Sequence, residues 1–578
     1  LPKDDMTTDD PYEPIPAGDT TAETTADDVA VESDGEADPV VRRRWRRVAA
    51  PVLTVLAALF VLFALVAPEE ISSFSLAAFV RIPVEGLVGL AVLLVLPMRA
   101  RRVVAAILGV ILGLLTIVKI IDMGFFVALA RPFDPAYDWS FFGPAMDFLK
   151  GSFGEAGAIG ALIGAGILAV GVVALMTLAV GRLTRLAAGH RRYASQTVLG
   201  LAVIWIVCAL VGVQFTAGEP LASRTAAALA YDDVRQVRDD VADQKEFAEQ
   251  EAVDAFADVP GDQLLHGLRG KNVLLTFVES YGRVAVQDSA LSKPIDAELD
   301  AGTKALDAAG FGSRSGFLTS STEGGASWLA HTSIETGLFV NSERRYDDVL
   351  ASNRLTLSNA FERAGWRTVV DVPSNITDLP KSALYDYDKF YDALNVGYRG
   401  PNFSYATMPD QYIMQAFQNN ELAKPGHPPV MAEIDLVSSH SPWAPLPRMV
   451  PWSQLGNGSI FDAQAKEGPQ PSDLLSPDKI RAAYGQSIQY TLSALISYLQ
   501  TYGDKNTVLI FLGDHQPAPL VSGVGATRDV PITIVAKDPK VLDKISSWDW
   551  QSGLRPGPDA PVWRMDTFRN KFLTAFGS

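Results

Sequence analysis

The stretch NVLLTFVES, residues 272–280, decides how this chain is read. Six successive positions from Val273 to Val278 carry apolar or β-branched side chains, and Glu279 and Ser280 follow at once. A short apolar run without alternation is the pattern of a strand buried on both faces, as in a parallel sheet sandwiched between helices. Residues 507–512 (TVLIFL) are a second such run, 431–437 a weaker third and 530–536 a fourth. Residues 357–364 and 479–499 have helical character. Strands and helices therefore alternate, and an α/β domain with a mostly parallel sheet covered by helices is expected over residues 268–578.

Towards the amino terminus the composition changes. Residues 226–257 are acidic, rich in alanine and free of Pro and Gly. They predict a helical connector, which is placed at 218–267. Before it lie five apolar runs, at about 48–67, 74–97, 103–122, 157–180 and 197–216. Each is close to the ~20 residues that cross a ~30 Å hydrocarbon core, so a five-helix transmembrane domain is expected at 40–217. The first run follows a long acidic stretch and precedes four others, which argues against a cleavable signal.

Charge sets the expected orientation. Arg42, Arg43, Arg44, Arg46 and Arg47 precede the first run. Arg99, Arg101 and Arg102 follow the second, and Arg182, Arg185, Arg191 and Arg192 follow the fourth. The alternate loops hold Glu69 and Glu70, then only Arg131 and Lys150 as basic residues. By the positive-inside rule the amino terminus is cytoplasmic and everything after residue 216 is extracellular. Within the runs, Arg81 and Glu85, and Lys119 and Asp122, are spaced to share a helix face, and structural ion pairs are the simpler expectation for both.

Residues 1–39 hold nine Asp and four Glu against one Lys, which is twelve of the chain's 17 net negative charges. With almost no large apolar side chains, they are expected to be a disordered acidic cytoplasmic tail. The remainder is near charge balance and has no basic stripe, which excludes nucleic acid as a partner. The single cysteine, Cys208, excludes an intrachain disulfide and cysteine-rich metal sites. Hydrophobic residues at 48%, charged residues at 20% and a mean hydropathy of +0.13 fit a membrane module joined to a soluble one.

Ligands of such a sheet bind beyond the carboxyl ends of its strands. There stand Glu279 and Ser280, then Asp514 and His515, and then Ser438, Ser439 and His440 followed by Ser441, Pro442 and Trp443. Two carboxylates and two imidazoles on one rim suit Mn²⁺ or Zn²⁺ better than Mg²⁺. The loop TEGGASWLAH, residues 322–331, leads into a helix over 327–336. Ser327 at its start meets the positive end of the helix dipole and free backbone N–H groups, a setting for phosphate binding and for an activated hydroxyl. Taken alone, a serine at this position is more commonly a plain helix cap, and Thr319 and Thr322 are alternative hydroxyls. His331 lies one turn after Ser327 on the same face, placed either to touch a substrate or to pack.

Glu279 in NVLLTFVES, the loop GGASWLAH, His440 in SSHSPW and the run LGDHQP at 512–517 together resemble the alkaline phosphatase/sulfatase superfamily. More narrowly they resemble its membrane-anchored phosphotransferase branch, which includes lipoteichoic acid synthases and phosphoethanolamine transferases. The resemblance spans 271–536 and implies an alkaline phosphatase-like fold. It implies one divalent metal, Mn²⁺ foremost with Zn²⁺ or Mg²⁺ as the other choices, held by Glu279, Ser327, Asp514 and His515. Ser327, where many relatives carry Thr, would also be the nucleophile. His440 would bind the phosphate or protonate the leaving group, with His331 and Trp443 as further substrate contacts.

The activity implied is that of a multi-pass enzyme of the bacterial plasma membrane. It would move phosphoglycerol or phosphoethanolamine from phosphatidylglycerol or phosphatidylethanolamine to an envelope glycan or polymer, through a phosphoserine. The alternatives are a membrane-bound phosphodiesterase, phosphatase or sulfatase-like hydrolase using water, and a non-catalytic envelope scaffold. Formylglycine sulfatase chemistry is disfavoured, because no Cys/Ser-x-Pro-x-Arg motif exists and Cys208 lies within an apolar run. His190, His266 and His427 are not placed to complete a second metal site, and Arg344 and Arg345 read as surface charge.

Overall fold

The computed structural model describes residues 39–68, 71, 74–135, 137–216, 219–287, 289–375 and 386–577. The expected acidic tail lies outside the described residues, apart from Pro39. The chain divides after Val55, and Leu56–Ser578 form one compact unit.

The apolar runs fold as α1 (Pro39–Val66), α2 (Leu76–Phe79), α3 (Val84–Val95), α4 (Met98–Leu129), α5 (Phe142–Gly189) and α6 (Arg191–Val211). Among the described residues four helical stretches are long and apolar enough to cross a membrane: Ala49–Val66, Met98–Leu129, Gly154–Gly189 and Arg191–Val211. The second predicted run is not among them. Its helix α3 has 12 residues, about 18 Å against a core of ~30 Å. Pro83 accounts for the break, since it has no N–H to donate to a helix continuing from α2. The chain instead forms β1 (Ile82–Pro83). After α6 come the hairpin β2 (Gln214–Thr216) and β3 (Glu219–Pro220), then β4 (Ala222–Ser223), which pairs in parallel with β1.

The charged groups in this region serve backbone ends. Arg81 donates to the carbonyls of Val66 (2.6 Å) and Ala78 (2.8 Å), and Glu85 accepts from the Ala227 N–H (2.8 Å). Lys119 donates to the carbonyls of Ala64 (3.2 Å) and Ala67 (2.9 Å), and Asp122 accepts from the Phe133 N–H (3.0 Å). Inside hydrocarbon such unpaired carbonyls would otherwise be costly.

The connector is α7 (Thr225–Glu251). There follow β5 (Asn272–Val278), α8 (Ser292–Ala308), β6 (Gly312–Thr319), α9 (Ser327–Thr336), α10 (Glu343–Leu350), α11 (Leu357–Arg363), β7 (Arg367–Val372) and β8 (Lys389–Asp392). Next are α12 (Asp410–Phe417), β9 (Val430–Leu436), α13 (Pro477–Tyr502), β10 (Thr507–Gly513), α14 (Pro519–Ser522) and β11 (Asp529–Ala536). The chain ends with α15 (Pro539–Asp543), β12 (Gln551–Ser552), β13 (Val562–Arg564) and α16 (Thr567–Phe576). Arg345 and Arg344 are not the surface charges expected. Arg345 binds Asp243 of α7 (Nε to Oδ2, 2.9 Å), and Arg344 is buried and pairs with Asp348 at 3.3 Å.

The sheet has nine strands in the order β12-β6-β11-β10-β5-β9-β7-β8, with β13 on β6. It is mixed, with five parallel and three antiparallel pairings. β10, β5, β9, β7 and β8 run parallel, whereas β11 is antiparallel to both β10 and β6. Between β10 and β11 the only helix is the four-residue α14. Without a longer crossover the chain returns on itself.

Both sheet faces are covered. Leu274, Leu509 and Ile434 join one core with α8, α12 and α13. Leu275, Ile510 and Met431 join the other with α9, α11 and α16. Every residue of β10 is buried, and each large apolar side chain there contributes about 1.5–3 kcal/mol. The register fixes the site: Gly513 lies opposite Val278 and Val278 opposite Leu436. The residues that come directly after these strands, Asp514, Glu279 and Val437–His440, are thereby brought to one edge.

Candidate active site

Ser327 is the first residue of α9, and the cap position is taken by Ala326 in the left-handed region (φ 62°), with no side-chain cap bond. Its hydroxyl is therefore not spent on capping. Ser327 Oγ lies 3.2 Å from Glu279 Oε2 and 3.2 Å from His515 Nε2. The alternative hydroxyls are used elsewhere: Thr322 donates to the Gly325 carbonyl (2.6 Å) and Thr319 to Asp529 (2.8 Å). The loop before α9 is pressed against α4. Gly324 has φ 75°, and a Cβ there would meet the Ala128 carbonyl at 1.9 Å.

Glu279, Asp514 and His515 offer ligand atoms within 4.8 Å of one another. His515 Nε2 is 3.4 Å from Glu279 Oε1 and 3.6 Å from Asp514 Oδ2. His515 Nδ1 faces the Gln516 carbonyl at 2.8 Å. With an Nδ1–H donated to that carbonyl, Nε2 is the ring atom that faces the carboxylates and Ser327. Asp514 Oδ1 accepts from the N–H groups of Ser280 and His515, both at 2.7 Å. Ser280 Oγ donates to Glu279 Oε1 (2.7 Å), Ser439 Oγ to the Glu279 carbonyl (2.6 Å), and Tyr484 OH to the Ser280 carbonyl (2.9 Å). Sequence reading placed Ser280 and Ser439 on the rim without a role and missed Tyr484, because nothing local tells a supporting hydroxyl from a solvated one.

Electrostatics separate the two carboxylates. Burial works against the Glu279 charge, but the nearby His515 and His440 outweigh it and hold its carboxyl down at about 2. Burial and the neighbouring Glu279 push Asp514 up to about 6. The cluster therefore favours positive charge at its centre. Its donor set, two carboxylates, one imidazole nitrogen and a hydroxyl, fits a divalent cation of the Mn²⁺ or Zn²⁺ type.

His440 sits in the loop after β9, stacked on Tyr405 at 3.7 Å, with Nδ1 facing the Ser441 carbonyl at 2.6 Å. Trp443 lines the same cavity but is buried, with its indole N–H donating to the Ser439 carbonyl (2.7 Å). His331 stacks on Phe277 at 3.8 Å and faces Glu433 and Asp435. Sequence reading missed both of these carboxylates. The available signal was their spacing of two within a strand, which puts both on one face.

A cavity of about 990 Å³ opens beside Ser327. One wall carries Glu279, Ser327, His331 and His440, and the other is apolar and comes from α4 and the start of α5, including Ile121, Phe125, Ala128 and Phe142.

The family model described as Sulfatase matches residues 271–527. Those residues span every member of the cluster, from β5 to the Asp514-His515 pair. Residues 271–527 are thus similar to the sulfatase family. No curated protein matches the chain by sequence.

Solved structures similar to this chain include the lipoteichoic acid synthase LtaP of Listeria monocytogenes. It is 16% identical with a TM-score of 0.36, over 54% of this chain and 73% of that one. The C-terminal periplasmic domain of EcEptC from Escherichia coli, in complex with Zn, is 13% identical with a TM-score of 0.34, over 53% and 82%. The Streptococcus pyogenes phosphoglycerol transferase GacH, in complex with sn-glycerol-1-phosphate, is 13% identical with a TM-score of 0.32, over 57% and 91%.

Proposed function

We propose that this protein is a membrane-anchored phosphotransferase that takes a phospho-head-group, phosphoglycerol or phosphoethanolamine, from a membrane lipid and passes it to an envelope glycan or polymer. The observation that carries this reading is the cavity, which joins the Ser327 cluster to an apolar wall supplied by α4 and α5. An enzyme for soluble phosphoesters has no use for such a wall. A diacylglycerol moiety does, and confinement at the bilayer surface raises its effective concentration.

Glu279, Ser327, Asp514 and His515 would hold one divalent cation, which when bound supplies Lewis-acid stabilisation of the phosphoryl oxygens and of the serine oxygen. Ser327 Oγ attacks phosphorus, its proton passing out to solvent through the cavity. The bond between phosphorus and the diacylglycerol oxygen breaks. With Nδ1 facing the Ser441 carbonyl, His440 is left with Nε2 to protonate the departing oxygen. In the second half neutral His440 takes a proton from the acceptor hydroxyl, that oxygen bonds to phosphorus, and Ser327 leaves and recovers its proton from solvent. The accompanying layout has an acidic tail at 1–39, a transmembrane domain at 40–217, a connector at 218–267 and a catalytic domain at 268–578 on the outer face of a bacterial plasma membrane.

The test uses full-length protein in detergent with Mn²⁺ and fluorescent phosphatidylglycerol or phosphatidylethanolamine, with diacylglycerol release followed by chromatography. Release from one lipid, lost in Ser327→Ala and on chelation, is the expected result. Absence of release from both lipids with metal bound would overturn the common-phospholipid donor. Release that does not respond to added acceptor would instead mark a hydrolase.

A further inference from the structure

A second group of ligand-type side chains lies on the wall of the same cavity. His331 comes from α9, and Glu433 and Asp435 from one face of β9. His331 Nδ1 stands 3.3 Å from Glu433 Oε1 and 3.6 Å from Asp435 Oδ1. The three ligand atoms lie within 4.8 Å of one another. Stacking on Phe277 at 3.8 Å and 16° fixes the imidazole ring. Asp435 Oδ1 is shut off from solvent and, among the described residues, has no hydrogen-bond partner. The second oxygen of Glu433 accepts from Tyr387 OH at 2.5 Å, the kind of outer hydrogen bond that steadies a ligating carboxylate.

The geometry points to a second divalent-cation site, formed by His331, Glu433 and Asp435 and separate from the cluster of Glu279, Ser327, Asp514 and His515. A tetrahedral ion with bonds of about 2.0–2.1 Å has donor–donor edges of roughly 3.4 Å. The two observed separations, 3.3 and 3.6 Å, bracket that edge. Charge agrees. A neutral imidazole and two carboxylates sum to two negative charges, which one divalent ion cancels. A protonated His331 would cancel only one of them. One imidazole and two carboxylates suit Zn²⁺ or Mn²⁺. His331 and Asp435 both line the cavity, so the fourth coordination position faces the space beside Ser327. The site goes beyond the proposed reaction and does not depend on which phosphoester is used.

The test is metal stoichiometry on the full-length protein in detergent, stripped with chelator and reloaded with Zn²⁺ or Co²⁺. Metal per chain is measured by mass spectrometry, and the Co²⁺ protein is examined for tetrahedral visible absorption. Two equivalents are expected in the wild type and one in Glu279→Gln. Asp435→Asn and Glu433→Gln should each keep one, and Glu279→Gln/Asp435→Asn should keep none. A single wild-type equivalent, lost in Glu279→Gln and kept in Asp435→Asn, would overturn the second site and leave the proposed function standing. Should the Asp435 and Glu433 variants fail to fold, the wild-type count still decides: two equivalents support the site and one overturns it.

Discussion

At the scale of single residues, what distinguishes Ser327 from Thr319 and Thr322 is the partner of each hydroxyl. Only Ser327 faces both Glu279 and His515, while the two threonines hold the loop and the sheet edge. Ser327→Ala should therefore lower lipid turnover by more than about 10³-fold with the fold intact by circular dichroism. Thr319→Ala should keep turnover within about tenfold. A different residue controls stability against pH. Asp371 is fully buried, and among the described residues neither carboxylate oxygen has a hydrogen-bond partner. Burial, helped by Asp435 and Asp392, pushes its carboxyl up to about 8. The folded protein thus holds a proton that the unfolded chain releases near pH 4. Stability from this group is fully present below pH 4, and falls by about 1.4 kcal/mol per pH unit until the folded carboxyl titrates near pH 8. In Asp371→Asn the slope of unfolding free energy against pH over 5–8 should be shallower. An unchanged slope would show that the group is ionised in the fold.

At the scale of elements, the close pair in the membrane region is α4 against α5. A Cβ on Gly109 would lie 2.6 Å from Thr177 Cα, and one on Gly113 would lie 2.8 Å from Val173 Cα. Both obstacles are backbone, so neither can step aside, as at other small-residue helix crossings. Gly113→Leu should separate the pair, cost on the order of 1–3 kcal/mol and lower the melting temperature in detergent. Gly160→Leu should not, since a Cβ at Gly160 meets nothing within 4 Å. The element-level errors of sequence reading have local causes. Hydropathy counts residues 74–97 as one span because it ignores the missing N–H of Pro83. The strand at Asp529–Ala536 lies where its apolar run predicts, but its direction depends on a short connection that its own composition does not encode.

At the scale of the whole molecule, the membrane bundle supplies a wall of the reaction space. Gly124 of α4 lines the cavity, and a Cβ there would meet nothing within 4 Å. Gly124→Phe should therefore fold normally and project a ring into the lipid wall. Turnover of long-chain phospholipid should fall at least tenfold, while cleavage of a small soluble phosphodiester by the same preparation changes less than twofold. Equal loss with both substrates would place the lipid elsewhere. The contact of the Gly324 loop with Ala128 ties the two parts together, so Gly324→Val should impair both substrates alike.

The sequence by itself determined the buried strands and the chemical groups at their carboxyl ends. A run such as 272–278 admits only one environment, and a sheet exposes the ends of its strands on one rim. It thereby placed Glu279, His440, Asp514 and His515 on one rim before any coordinates, and the family resemblance joined Ser327 to them. Tertiary structure alone decided which hydroxyl faces the carboxylates, that Glu433 and Asp435 turn towards His331, and that α4 and α5 close the cavity. Each of those depends on what packs against a face, a relation between distant segments that no local pattern of side chains specifies.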